Sequence, residues 1–235
     1  MLTSEANIPP EDTSVLDGHA TRSAETKARM IAAAIEVFGS VGYEGASTRM
    51  LVDRAGVNLS SLPYHFGTKR GLYLAAAQEL ASYARDRLGP ICADLEGATL
   101  DDAAQRVERA LVAFFKLVID NAEPQSWTAF LVRCVQAGDE AFHIIHDTAI
   151  APFQTALMKA LSVSSGRLPT EMMRVRVSMA ITAIIGFRTL GQLAMRGSDW
   201  DEMTPPRRAQ LEQVIRELVR SNFMLGPSVE ATEPS

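Results

Sequence analysis

A chain of 235 residues with 47% hydrophobic and 22% charged side chains has the material for one large core or two smaller ones. Its two cysteines, Cys92 and Cys134, lie far apart without CxxC spacing, which argues against a disulfide framework or a zinc site. The net charge of −5 speaks against nucleic acid only until it is divided along the chain.

Residues 1–20 carry Pro9-Pro10 among scattered Ser, Thr, Glu and Asp, without helical period, and are expected to be a disordered tail. From Ser23 the pattern turns helical, with Ile31, Ala34, Ile35 and Phe38 on one face until Gly42. Ser47 is a good N-cap for a short helix through Met50, Leu51, Arg54 and Ala55, which Gly56 stops. A second short helix, capped by Asn58 or Ser60, carries Leu62, Tyr64, His65 and Phe66. Pro63 fits it only if the helix starts near Ser60 or Ser61. Thr68 then caps a longer helix expected to run to Leu88 and end at Gly89-Pro90.

Beyond it, stripes repeat at three and four residues: Leu111, Phe114, Phe115 and Val118, then Trp127, Phe130, Leu131 and Cys134. Ile144, Ile145, Ile150, Phe153, Leu157 and Leu161 follow, with Pro152 interrupting. A very apolar helix spans Met172–Met195, and Leu211, Val214, Ile215, Leu218 and Val219 mark the last one. No strand-like alternation survives, so the expected fold is all-α. No apolar run reaches the length a membrane span needs, and no signal pattern opens the chain, so the expected compartment is cytoplasmic, with no membrane partner.

Two brief helices joined by a Gly-containing turn make a helix-turn-helix, whose second member lies in a DNA major groove. Charge agrees with it. Residues 20–90 hold nine bases against six acids, whereas residues 1–19 hold four acids and no base, and residues 91–235 fourteen bases against eighteen acids. The positive segment is the one with the helix pair, as phosphate binding requires. Arg49 is placed for a base or phosphate, and Lys69, in the first turn of the fourth helix, for a phosphate. Ser47, Thr48, Asn58, Ser60, Ser61, Tyr64 and His65 offer short polar contacts, and Leu59 suits a thymine methyl.

These residues also resemble a known family. Arg29-Met30-Ile31 through Phe38, Gly42-Tyr43, Ser47-Thr48-Arg49, Ala55-Gly56-Val57, Tyr64-His65-Phe66, Lys69 and Leu72 look like the N-terminal domain of the TetR family of bacterial repressors. Asp139 to Phe142, Ile150 to Phe153, the Met172–Met195 helix, and Trp200 with Thr204-Pro205 resemble the effector domain of its CecR subgroup. The resemblance implies a tail over residues 1–20, a DNA-binding domain over 21–67, a helical effector and dimerisation domain over 68–225, and a flexible end over 226–235. It implies a homodimer that leaves a palindromic DNA operator on taking up a small molecule.

Aromatic and polar side chains in the second half suggest an effector pocket of Phe114, Trp127, Phe130, Arg133, Phe142, His146, Phe153 and Phe187. His143 and His146 share a face but lack a third metal ligand, and no catalytic triad, phosphate loop or carboxylate pair is present. The expectation is therefore a non-enzymatic, ligand-responsive repressor without cofactor. The alternative is an all-α small-molecule binder or enzyme with a vestigial DNA-binding domain.

Overall fold

The computed structural model describes the backbone of residues 13–119 and 124–225, and side chains from residue 21 onward. Every regular element among the described residues is helical. The chain divides between Ala76 and Ala77 into two compact units. That point lies beyond the expected boundary at residue 67, because Leu72, Tyr73 and Ala76 are buried with the first unit.

The first unit is built from α1 (Thr13–Gly45), α2 (Thr48–Ala55), α3 (Ser61–Phe66) and the opening turns of α4 (Lys69–Glu96). Helix α1 already runs at Thr13, inside the segment expected to be a disordered tail; residues 1–12 lie outside the described residues. It breaks at Gly42, whose φ of 75° is a left-handed value that glycine adopts without a Cβ clash. Met30, Ala34, Ile35 and Phe38 form its buried stripe, and Leu51, Val52, Leu62 and Leu72 are buried in the same unit. Tyr73 closes the cluster, edge-on to Phe38 at 5.0 Å and 4.9 Å from Tyr43.

Helix α4 does not end at Gly89-Pro90 as the sequence suggested but continues to Glu96. Pro90 removes one helical donor, yet it sits on the exposed face. Leu88 and Leu95 meanwhile keep the buried stripe running past it, with Ile91 and Cys92 packed alongside. Arg106 fixes the extension by donating to the Asp94 carbonyl at 2.7 Å and to its carboxylate at 2.8 Å.

The second unit adds α5 (Ala103–Ile119), α6 (Gln125–Ala137), α7 (Glu140–Ile145), α8 (Ala151–Ser165), α9 (Glu171–Gly197) and α10 (Pro205–Phe223). Between α7 and α8 the backbone widens into a π-turn, His146–Ile150, with the Ala151 N–H donating to the His146 carbonyl. Pro152 follows directly and has no N–H to give Thr148, so the ordinary ladder is interrupted there. The core gathers Val107, Leu111, Phe114 and Phe115 of α5, Phe153 and Leu157 of α8, and Val177, Ile181 and Ile184 of α9.

A correction concerns α9. Its mean hydropathy reaches 1.4 over 18 residues, so it is long and apolar enough to cross a membrane, contrary to the sequence expectation. Its apolar character has a different explanation in this fold. Val177, Ile181 and Ile184 face the core, whereas Met172, Val175, Met179, Leu190 and Leu193 are exposed on other faces. Residues 226–235, expected to be flexible, lie outside the described residues.

Candidate functional site

Helix α2 of the pair is bounded by short-range caps, whereas Ser60, at the N-cap of α3, makes no side-chain cap bond. The Ser47 Oγ accepts the Met50 N–H at 3.1 Å, and Gly56 closes α2 in the left-handed conformation at φ 63°. Arg54 pairs with Glu36 and so pins α2 to α1. Helix α3 begins at Ser61, which puts Pro63 in its first turn, where a missing N–H costs no helical bond. At the exit, Gly71 is required. A Cβ there would stand 2.1 Å from the Phe66 carbonyl oxygen, so only glycine lets α4 start so close to α3. Thr68 caps α4 by accepting the Gly71 N–H at 3.0 Å.

The expected DNA-contacting residues form a largely exposed surface. Ser47, Thr48, Arg49, Asn58, Leu59, Ser60 and Tyr64 are exposed, and Ser61 and His65 are half-buried. Arg49 leans on Asp53 at 3.7 Å, with its side chain 89% exposed. Tyr64 meets the His65 ring edge-on at 4.8 Å. Lys69, expected to meet a phosphate, is half-buried and has partners within the unit. Its ammonium donates to the carbonyls of Tyr43 at 2.7 Å and Ala46 at 2.8 Å, and sits 4.2 Å above the Tyr43 ring. Those contacts tie the start of α4 to the end of α1, so the group positions the helix pair.

In the second unit, α4, α5, α6, the π-turn and α9 surround an apolar cavity of about 130 Å³. Leu80, Tyr83, Ala84, Arg87 and Leu88 supply one wall, Phe114, Leu117 and Val118 another, and Trp127, Thr128 and Leu131 a third. Ile150, Ile185 and Arg188 complete it. Trp127 packs edge-on against Tyr83 at 4.9 Å. Arg87 donates to the Tyr83 hydroxyl at 2.7 Å, and Arg188 to the Val118 carbonyl at 2.8 Å.

Of the expected pocket residues, Phe114 and Trp127 line this cavity. Phe153 is fully buried behind it, 5.1 Å from Phe114, and Phe130 is fully buried as well. Phe187 packs on Phe115 at 5.5 Å. Phe142 stacks near His146 at 5.7 Å, His146 bonds Asp147 at 2.8 Å, and Arg133 is exposed. None of Phe130, Arg133, Phe142, His146, Phe153 and Phe187 lines the cavity. Sequence reasoning missed the α4 wall, although Leu80, Ala84, Arg87 and Leu88 recur at helical spacing and carried the signal.

Comparison with known proteins agrees with both halves. The family described as "Bacterial regulatory proteins, tetR family" matches residues 30–76. The family described as "HTH-type transcriptional dual regulator CecR, C-terminal domain" matches residues 103–226. The chain is 26% identical over 198 residues to the HTH-type transcriptional dual regulator CecR of Shigella flexneri, covering 81% of this chain and 88% of the relative. It is 30% identical over 165 residues to the HTH-type transcriptional activator FasR of Mycolicibacterium smegmatis, covering 61% and 71%. Among solved structures, the transcriptional regulator FadR from Bacillus subtilis, in complex with stearoyl-CoA, shares the fold at a TM-score of 0.57 and 19% identity. That match covers 83% of this chain and 98% of the other.

Proposed function

The chain belongs to the TetR family of bacterial transcriptional regulators, a DNA-binding family, and we propose that it acts as a homodimeric repressor released from a palindromic operator by a small apolar effector. The cavity in the second unit is the observation that carries the effector reading. A volume of about 130 Å³ is close to that of apolar cavities that hold one aromatic ring. The Bacillus subtilis neighbour was solved with stearoyl-CoA. A long acyl chain would extend beyond about 130 Å³, so a single-ring aromatic molecule is the better fit here.

Dimerisation has support of its own. Met172, Val175, Met179, Leu190 and Leu193 on α9, and Val214 and Leu218 on α10, are large apolar side chains left exposed in the monomer. A second copy would cover them through a symmetric patch in which each helix pair meets its own mate. In the proposed mechanism, a molecule in the cavity presses on the α4 wall. The same helix is tied at its first turn, through Lys69, to the end of α1 and the residue just beyond it. Effector and operator are then coupled only to the extent that the effector prefers one conformation over the other.

Gel-shift titration of the chain's own upstream DNA tests the reading directly. Binding should be lost on adding single-ring aromatics such as phenol, toluene or benzoate, and kept with a long-chain acyl-CoA at the same concentration. In a Trp200→Phe background, Trp127 fluorescence should be quenched with the same midpoint. A promoter fusion should rise when the chain is deleted; a fall would make it an activator. A chain that binds no upstream DNA under low salt would sink the proposal.

A further inference from the structure

We infer that sequence selection by the helix pair is carried by thymine methyl groups, with Leu59 as the specificity-determining residue. This rests on the reading of α2 and α3 as the DNA-contacting pair, and goes beyond it by naming the base feature that is read.

The face offered to a duplex consists of Asn58, Leu59, Ser60, Pro63 and Tyr64, all exposed. Leu59 is 60% exposed and Tyr64 79%, while Leu62 between them is turned into the core. Bidentate readout of a major groove uses Arg or Lys for guanine and Asn or Gln for adenine. Residues 58–66 contain no Arg, Lys or Gln. His65 is half-buried beside Tyr64 and Phe66, and Arg49, on the other helix, leans on Asp53. Asn58 is the one amide left in the segment.

Beside Asn58 and Ser60, what remains on the surface is apolar. Leu59 and Pro63 stand four residues apart, and the Tyr64 ring follows Pro63. Proline also has no N–H to offer a base or phosphate. The major groove presents one apolar feature that marks a base pair, the 5-methyl group of thymine. Tyr64 has a hydroxyl that a phosphate can engage, whereas Leu59 has only carbon to offer, so the methyl contact is assigned to Leu59. The surplus of bases in residues 20–90 brings the segment to DNA without regard to sequence, and the leucine then sorts the sites.

The full-length protein is used to select binding sites from random duplexes, and each thymine of the selected site is replaced in turn by uracil. Uracil keeps the base pair and every hydrogen-bonding atom, so a preference for groove shape survives the change. At one position of each half-site the loss should be about four-fold, the ratio expected for one buried methyl-sized group. Leu59→Ala should bind the thymine and uracil duplexes equally, and Leu59→Met should keep the difference. Thermal denaturation of Leu59→Ala should match the parent, since the side chain is mostly exposed. Indifference to uracil at every position, or discrimination retained by Leu59→Ala, overturns the inference while leaving the DNA-binding reading intact. Failure of the parent to select any sequence overturns that reading as well.

Discussion

Removing the carboxylate of Glu108 should loosen α10 from α5 and lower the stability of the second unit. Glu108 is 5% exposed, in the middle of α5, and receives two guanidinium groups from α10. Arg216 donates at 2.9 Å, and Arg220 at 2.6 and 3.2 Å. A charged hydrogen bond contributes roughly 1.5–3 kcal/mol, and removing one member of a buried pair costs roughly 3–5 kcal/mol. The arginine side chains are 34% and 32% exposed, so water recovers part of that loss. We therefore expect about 3 kcal/mol for Glu108→Ala. At two to four degrees per kcal/mol for a chain of this size, Tm should fall by about 6–12 °C.

Circular dichroism melting at fixed protein concentration measures this, since association shifts Tm by mass action. Acidification supplies a second readout. Burial pushes the Glu108 carboxyl up, but the hydrogen bonds from Arg220 and Arg216 outweigh it and leave the pKa below its ordinary value. A lowered pKa means stability that is present above the unfolded value and lost as pH falls through the folded one. Glu108→Gln should therefore lose part of the neutral-pH stability and flatten the decline below about pH 4.5, the ordinary value. A Tm within 2 °C of the parent for Glu108→Ala, with an unchanged acid limb for Glu108→Gln, would refute the reasoning.

Lys69→Met should weaken DNA binding and lower stability by about 1–3 kcal/mol through its lost carbonyl contacts, yet leave the salt dependence of binding unchanged. A drop of about one in the salt slope would return Lys69 to the phosphate role. Arg49→Ala should give the opposite pattern, a similar loss on every sequence with a slope reduced by about one, because the first helix of such a pair crosses the backbone. Leu193→Glu, on an exposed α9 face, should yield monomers by light scattering at micromolar concentration, and persistent dimers would place the interface elsewhere. Trp127→Ala should abolish the response to effector in gel shifts while leaving operator affinity in place; a mutant that stays fully inducible would move the effector site away from this cavity.

The ends of α2 and the start of α4 were legible because each has a local cause, whereas the side-chain cap expected at the start of α3 is not made, Ser60 standing at the N-cap in a helical conformation. Ser47, Gly56 and Thr68 announce helix ends through their own chemistry, and Pro63 is tolerated only where the chain puts it. Helix α4 was misjudged for the converse reason. Gly89-Pro90 is a strong local stop, but Leu88, Leu95 and the Arg106–Asp94 contacts, made with a distant part of the chain, override it. Lys69 was read as a cation looking for an anion, because nothing in its neighbourhood along the chain shows that two carbonyls from the end of α1 would occupy it. Aromatic residues were similarly ambiguous. Phe130 and Phe153 have the same stripe pattern as Phe114 and Trp127, and only packing decides that the first pair is sealed in while the second borders a cavity.

Helix α9 shows why composition alone could not separate these uses. Three surfaces coexist on it. Val177, Ile181 and Ile184 are buried in the core; Ile185 and Arg188 border the cavity; Leu190 and Leu193 are exposed. A helix serving one purpose would need a single apolar stripe, whereas this one has apolar residues on several faces and so reaches a mean hydropathy of 1.4 over 18 residues. If the exposed surface is the dimer contact and the cavity is the effector site, one rigid element belongs to both. Any rotation or shift of α9 that enlarges the cavity then changes the surface offered to the second copy, because residues 185 and 188 lie within three turns of Leu190 and Leu193. Linkage requires the effect to run both ways, so effector affinity should vary with protein concentration across the dimerisation range.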